Sequence, residues 1–415
     1  MTLRIAMSAL LTVAAFAPMA PALAAMPMSM SMSMLPASHG AAGACHQAAL
    51  ACASTVTPLL AGDGSLWLAF DTDGQVYVTH SGDRGRNFSK PVAITREKVQ
   101  LDTGPDARTA LAVDKQGRVF VAYEIFKDKN FNGEVFFSRS TDQGKSFSTP
   151  RPLVDNDASQ RFATLTVGPE GDLFAAWLDK RGVVAAEKQG KTYPGAALGY
   201  EWSRDGGASF TPSKIAKDNT CECCRLGVAF TAPGRPAVVF RNVFGGIVRD
   251  HGIITFVNET TPGPFSRVSV DNWKLDGCPH QGPSLTLSDK GTYHVVWSTQ
   301  GDARKGLFYA RSKDGGKSFS APMPLDANAH DASRPFVTAV PGQVWLAWKD
   351  FDGETATVNV RVSHDDGASW SAPRVAAETT DASDHPMLVN DGHRAYLSWM
   401  TKVDGYKFLP LEDAR

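Results

Sequence analysis

An octet with the pattern Ser-x-Asp-x-Gly-x-x-aromatic occurs five times in this 415-residue chain. The copies are Ser81-Asp83-Gly85-Phe88, Ser140-Asp142-Gly144-Phe147, Ser203-Asp205-Gly207-Phe210, Ser312-Asp314-Gly316-Phe319 and Ser363-Asp365-Gly367-Trp370. Their starts lie 59, 63, 109 and 51 residues apart, and the long interval has room for one more unit that has lost its octet. A period of about 50–60 residues points to a propeller or a solenoid. The octet also reads mechanically. Serine and aspartate oxygens accept hydrogen bonds from nearby backbone N–H groups and close a turn. Glycine supplies a positive φ, and the aromatic tucks the turn against a sheet. Strand-like runs precede the octets (Val76–Thr79, Val135–Phe137, Leu307–Ala310, Val358–Arg361). Proline-containing runs follow them (Lys90–Ala93, Ser320–Met323). Each octet is therefore expected to join two antiparallel strands.

The first half of each unit repeats as well. An apolar strand, a glycine-bearing turn and a strand with Trp, Tyr or Phe recur at Leu59–Phe70, Thr109–Tyr123, Ala163–Trp177, Leu226–Phe240, Ser284–Trp297, Phe336–Trp348 and Met387–Trp399. The pattern predicts an all-β chain, a six- or seven-bladed β-propeller of four-stranded antiparallel blades. The 37 glycines and 25 prolines suit so many turns. The last unit lacks a fourth strand, and Cys45–Thr55 is the candidate to supply it. Radial closure protects edge strands, so residues 57–415 are expected to form one domain.

Ahead of it, Arg4, the apolar stretch Ile5–Phe16 and Ala22-Leu23-Ala24 read as a signal peptide over residues 1–24, too short to span a bilayer. No other run is long and apolar enough for a transmembrane helix. The mature protein is expected in a periplasm, with secretion as the alternative. Residues 25–56 begin with alternating methionines, among them Met28, Met30, Met32 and Met34, which cannot build a core. Cys45 and Cys52, seven apart, would sit about 10 Å from each other in a regular helix, beyond disulfide reach. Basic and acidic residues balance to a net charge of −1, which gives no electrostatic reason for a nucleic acid or an acidic membrane as partner.

The octet resembles the Asp-box, or BNR repeat, of sialidase-like β-propellers, and the resemblance covers residues 57–411. It implies a propeller with these turns on the outer rim, away from any active site. Sialidases also use three arginines to hold a carboxylate, a Tyr–Glu pair and an acidic Asp. The Arg-Ile-Pro motif of many bacterial members is missing here, and no arginine precedes Ser81 in the mature chain. Tyr406 falls where a family tyrosine could stand, but no sialidase catalytic residue carries over. The chain is similar to an exported subgroup with Cys-x-Cys-Cys in one blade (Cys221, Cys223, Cys224) and Asp-x-Trp…Cys-Pro…Gly-Pro in the next (Asp271, Trp273, Cys278, Pro279, Gly282, Pro283).

Six successive units place Arg or His where the chain leads into its first strand: Arg108, Arg161, Arg225, His280, Arg334 and His385. In a propeller the innermost strands line the channel, so these residues are expected to ring one mouth. One reading is a site for an anion or small ligand, with guanidinium groups ready for bidentate contacts. The other is that they cap strand ends and pair with Asp102, Asp106 or Asp384. Cys224 and Cys278 hold nearly equivalent places in adjacent units. They can form an inter-blade disulfide. They can equally join Cys221, Cys223 and His280 as ligands for a soft metal, copper before zinc. The thioethers of Met28, Met30, Met32 and Met34 suit copper(I) too. Three functions follow: a metal protein for copper tolerance or delivery, a sialidase-type glycoside hydrolase, or a non-catalytic carbohydrate- or protein-binding module.

Overall fold

The computed structural model describes residues 49–327 and 329–413. The methionine run and the expected signal peptide lie outside them. Strands make up 49% of the chain and helix 3%, so the all-β expectation holds. No helix among the described residues is long and apolar enough to cross a membrane.

Each of the seven predicted hairpins is an antiparallel strand pair. The first sheet runs Val56–Leu60, Leu66–Thr72, Gln75–Ser81, Val92–Ala93. The second runs Ala110–Val113, Val119–Phe126, Gly133–Ser140, Arg151–Pro152. The third holds Gln160–Val167, Leu173–Asp179, Ala196–Ser203 and Lys214–Thr220. The fourth holds Gly227–Ala232, Arg235–Phe244, Val248–Asn258 and Thr261–Arg267. A single pairing, Thr220 with Asn242, joins these two into one larger sheet. The fifth is Ser284–Leu287, Tyr293–Gln300, Lys305–Ser312, Met323–Pro324, and the sixth Ser333–Val340, Gln343–Phe351, Ala356–Ser363, Arg374–Thr379. The last has three strands, Met387–Asn390, Ala395–Thr401 and Gly405–Pro410.

Second strands such as Leu66–Thr72, Leu173–Asp179 and Ala395–Thr401 are buried along their whole length. They read as apolar runs because sheets cover both of their faces. Apolar clusters fill the space between consecutive sheets: Trp67, Ala69 and Val78 meet Leu111, Val121 and Tyr123, and Phe120 and Phe137 meet Leu173 and Trp177. Another packs Leu66, Leu68 and Phe70 of the first sheet with Met400, Tyr406 and Phe408 of the last.

The fourth strand expected from Cys45–Thr55 is not present among its described residues. Leu50–Cys52 is a 3₁₀ turn instead. Leu50 and Ala53 pack against the Tyr406 and Phe408 side of the last sheet rather than pairing with its backbone. Thr55 Oγ1 and Ser54 Oγ both donate to the Asp71 carboxylate, the former at 2.6 Å, and that clamp turns the chain into Val56–Leu60.

Each octet joins the third and fourth strands of its sheet, and its hydrogen bonds are the expected ones. In the second copy Ser140 Oγ donates to Asp142 Oδ1 at 2.7 Å, the Gly144 N–H donates to Ser140 Oγ at 2.8 Å, and the Ser146 N–H donates to Asp142 Oδ1 at 2.9 Å. The octet glycine also touches the preceding sheet. An ideal Cβ on Gly367 would overlap Tyr309 Oη, and its φ is +77°. Gly367→Ala is expected to lose about 1–3 kcal/mol through overpacking, beyond the backbone strain common to any positive-φ site. Gly392→Ala, at φ +84° with open space around the Cβ, isolates that backbone part. Equal denaturant midpoints for the two variants would refute the packing role.

Candidate functional site

The lead-ins to the first strands meet on three aspartates, Asp106, Asp384 and Asp102. The Asp106 carboxylate is fully buried and takes Arg225 Nη1 at 2.7 Å, Arg334 Nη1 at 3.3 Å and the Gly282 N–H at 2.7 Å. It thus ties the chain ahead of the second sheet to the starts of the fourth, fifth and sixth. Arg225 Nη2 also donates to Pro335 O at 2.9 Å, and Arg334 donates to His280 O. Asp384 accepts from Arg108, from the Val56 N–H at 3.0 Å and from the His385 N–H at 2.8 Å. Arg108 Nη2 lies 3.4 Å from His385 Nδ1. Arg161 pairs with Asp102. All four arginines of the expected ring therefore have a carboxylate partner, the arrangement in which they cap strand ends. His385 is buried, and burial, then the neighbouring Arg108, Arg225 and Arg334, hold its imidazole well below the usual range, so it is neutral. Phe162, His280 and Arg334 have φ of +57°, +48° and +56°, a conformation that costs non-glycine residues energy and collects at functional sites.

Next to Arg161 lies Glu124, wholly buried. Its Oε1 accepts from the Ala163 N–H at 2.5 Å, and burial with the Asp102 charge beside it pushes its carboxyl up to about 8. A carboxyl raised above its unfolded value favours the fold most at low pH. That contribution is lost as pH rises from about 4.5 through about 8. The Glu124 contribution to stability is expected to fall across this window by up to about 1.4 kcal/mol per pH unit. Glu124→Gln should flatten the fall, as chemical denaturation at pH 5 and pH 8.5 will show; parallel profiles would exclude this group as its source.

The cysteines come from two segments held against two adjacent strands, Arg235–Phe244 and Val248–Asn258. Thr220 pairs with Asn242, and the Cys221 N–H donates to Arg241 O at 2.8 Å, so Cys221-Glu222-Cys223-Cys224 leaves the third sheet along Arg235–Phe244. The segment before Cys278 is docked by Asp250, which is buried in the adjacent strand. Its carboxylate accepts the N–H groups of Asp271 and Asn272 at 2.9 Å each and of Trp273 at 3.1 Å, and pairs with Arg267. Asp271 in turn accepts Trp297 Nε1 at 2.7 Å. Trp273 stacks under the Arg241 guanidinium, 4.6 Å from ring centroid to Cζ. Arg249 closes the arrangement, donating through Nε to Leu275 O at 2.8 Å and through Nη1 to Cys221 Sγ at 3.4 Å.

Cys221, Cys223, Cys224 and Cys278 are all free thiols, and Cys221 Sγ lies 3.6 Å from Cys223 Sγ. The structure therefore holds neither an inter-sheet disulfide nor one within the triplet; Cys52 is disulfide-bonded elsewhere. The ligand atoms of Cys221, Cys223 and Cys224 all lie within 4.8 Å of one another. Those of Cys223, Cys278 and His280 do as well. Hydrogen bonds from Cys223 and Cys224, then the Arg241 and Arg249 charges, pull the Cys221 thiol well below its ordinary value. A hydrogen bond from Cys223 pulls Cys278 down, while burial pushes Cys223 and Cys224 up. Lys180, just before the helix Arg181–Glu187, bridges to Glu222 at 2.5 Å.

Sequence reading placed Cys221, Cys223, Cys224, Cys278 and His280 together, and they are together. Met28, Met30, Met32 and Met34 lie outside the described residues. The Tyr406 hydroxyl is 2.9 Å from Ser398 Oγ, and its ring meets the octet aromatic Phe88 edge-on. The residues that reading missed are Asp250, Arg241, Arg249 and Glu124. Their signal was a charge set inside an otherwise apolar strand, as in Val238-Val239-Phe240-Arg241.

No protein-family model matches the chain, and no curated protein matches it. Among solved structures it is similar to an ulvan lyase of polysaccharide lyase family 25 bound to a GlcA–Rha3S sugar, with TM-score 0.54 and 11% identity over 86% of this chain and 94% of that one. A second polysaccharide lyase gives 0.53 and 9% over 83% and 86%. A Hadza microbial sialidase gives 0.50 and 13% over 84% and 76%. The likeness is one of fold.

Proposed function

We propose that this chain is an exported, sialidase-like propeller of seven blades that binds a soft metal ion, copper(I), for copper tolerance or delivery in the periplasm. The observation that carries the reading is the convergence of four free thiols and the His280 imidazole, from two separate segments, around Cys223. Metal–sulfur bonds of about 2.3 Å set opposite ligands at most about 4.6 Å apart, so the three groups of either set, Cys221–Cys223–Cys224 or Cys223–Cys278–His280, need only a small contraction to share an ion. Thiolate and imidazole suit copper(I), and neither Ca²⁺ nor Mg²⁺ favours them. The methionine run at Met28, Met30, Met32 and Met34 adds donors of the same softness. Titrating reduced protein with copper(I) against a chromogenic chelator tests this. Copper(I) is expected to be retained by the wild type, with at least about 100-fold weaker retention in a Cys221→Ser, Cys223→Ser double variant. Retention unchanged in that variant, or none in the wild type, would sink the proposal.

A second reading is favoured by the fold likeness to the lyases and the sialidase: a glycan-acting propeller in which Arg108, Arg161, Arg225 and Arg334 hold a sugar carboxylate. It requires these arginines to exchange their aspartate partners for substrate. Turnover of a uronate-containing polysaccharide or a fluorogenic sialoside, lost in Arg225→Ala, would establish it.

A further inference from the structure

Two donor sets overlap at one atom. Cys223 Sγ belongs both to the Cys221–Cys223–Cys224 group and to the Cys223–Cys278–His280 group, while no four of these five donors lie mutually within 4.8 Å. A single ion cannot take four of them as they stand, because bonds of about 2.3 Å reach across at most about 4.6 Å. Two three-coordinate positions fit instead, and a thiolate sulfur has lone pairs enough to bridge. We infer that the cluster holds two copper(I) ions joined by the Cys223 thiolate, an inner one on Cys221, Cys223 and Cys224 and an outer one on Cys223, Cys278 and His280. This rests on the soft-metal reading above and adds its nuclearity and ligand sets.

Arg249, bonded to Cys221 Sγ at 3.4 Å, and Arg241, whose ring-stacked guanidinium sits over Trp273, flank the cluster with positive charge suited to thiolate ligands. The two positions also differ in access. Cys221, Cys223 and Cys224 are at most 2% exposed, whereas Cys278 and His280 are half-buried. The outer ion is therefore the one that exchanges with solvent and partners, and the inner ion is retained. The outer position forms only while the segment before Cys278 stays docked on Asp250 and Arg249.

The test counts metal. Full-length protein with Met26, Met28, Met30, Met32 and Met34 changed to leucine, reduced and free of oxygen, is loaded with copper(I), desalted and analysed for copper and protein. Two copper ions per chain are expected, with copper–copper scattering in the X-ray absorption spectrum. Cys278→Ser should retain one ion and lose that scattering, and a copper(I) chelator should strip the wild type in two phases, the first removing one ion. One ion per chain without copper–copper scattering overturns the paired site and leaves the soft-metal reading standing. No bound copper overturns that reading itself. The wild-type count and spectrum decide the matter even where Cys278→Ser fails to fold.

Discussion

Asp106→Ala is expected to lower stability by about 3–5 kcal/mol, the cost of leaving buried charges without their partner. The carboxylate is fully buried, Arg225 beside it is 12% exposed at its side chain, and Arg334 is 19% exposed. Removing the carboxylate strands two guanidiniums near each other and frees the Gly282 N–H. The loss is not confined to one sheet, because the aspartate ties the second unit to the fourth, fifth and sixth. Asp106→Asn keeps a hydrogen-bond acceptor but drops the charge, and should fall between wild type and alanine. Urea denaturation measures all three. A loss below about 1 kcal/mol for the alanine variant would show that this carboxylate is not the hub its contacts describe.

The second large effect concerns the segment that carries Cys278. Asp250→Ala removes the acceptor of three consecutive N–H groups and the partner of Arg267. The segment should detach from Val248–Asn258, and Cys278 should then react with a thiol reagent at least about 10-fold faster, as local opening exposes it. Cys221 and Cys224, on the other segment, should change far less. Mass spectrometry of the labelled peptides separates the cysteines. Lys274→Ala lies in the same segment, where its exposed bridge to Asp302 contributes little, and serves as the control. Equal labelling of Cys278 in wild type and Asp250→Ala would remove Asp250 from its positioning role.

How much of this was legible in the residues depends on the range over which each feature is specified. The octets are local: Ser140, Asp142 and Gly144 close their own turn, so their pattern announces the strands on either side. The hairpins are local as well, and all seven formed. The neighbourhood of Cys221–Cys224 and Cys278 was readable because consecutive units pack side by side. The axial pairing was only half readable. Asp106 meets residues 119, 176 and 228 positions away, and nothing near Asp106 says whether those arginines stay free for a ligand or turn to the carboxylate. Asp250 and Arg249 were invisible for a related reason. A charge in a strand ordinarily marks a solvated face, and here it marks a face covered by a later segment. The edge of the last sheet misled in the opposite sense: Leu50 and Ala53 supply apolar cover where backbone pairing was expected.

The single pairing of Thr220 with Asn242 has a kinetic consequence. It stitches the third and fourth sheets together beside the first thiol, and the Cys221 amide is itself bonded to Arg241. The Cys221 amide hydrogen, bonded to Arg241 O across that seam, is therefore protected from deuterated solvent only while the seam stays closed, and its exchange reports seam opening directly.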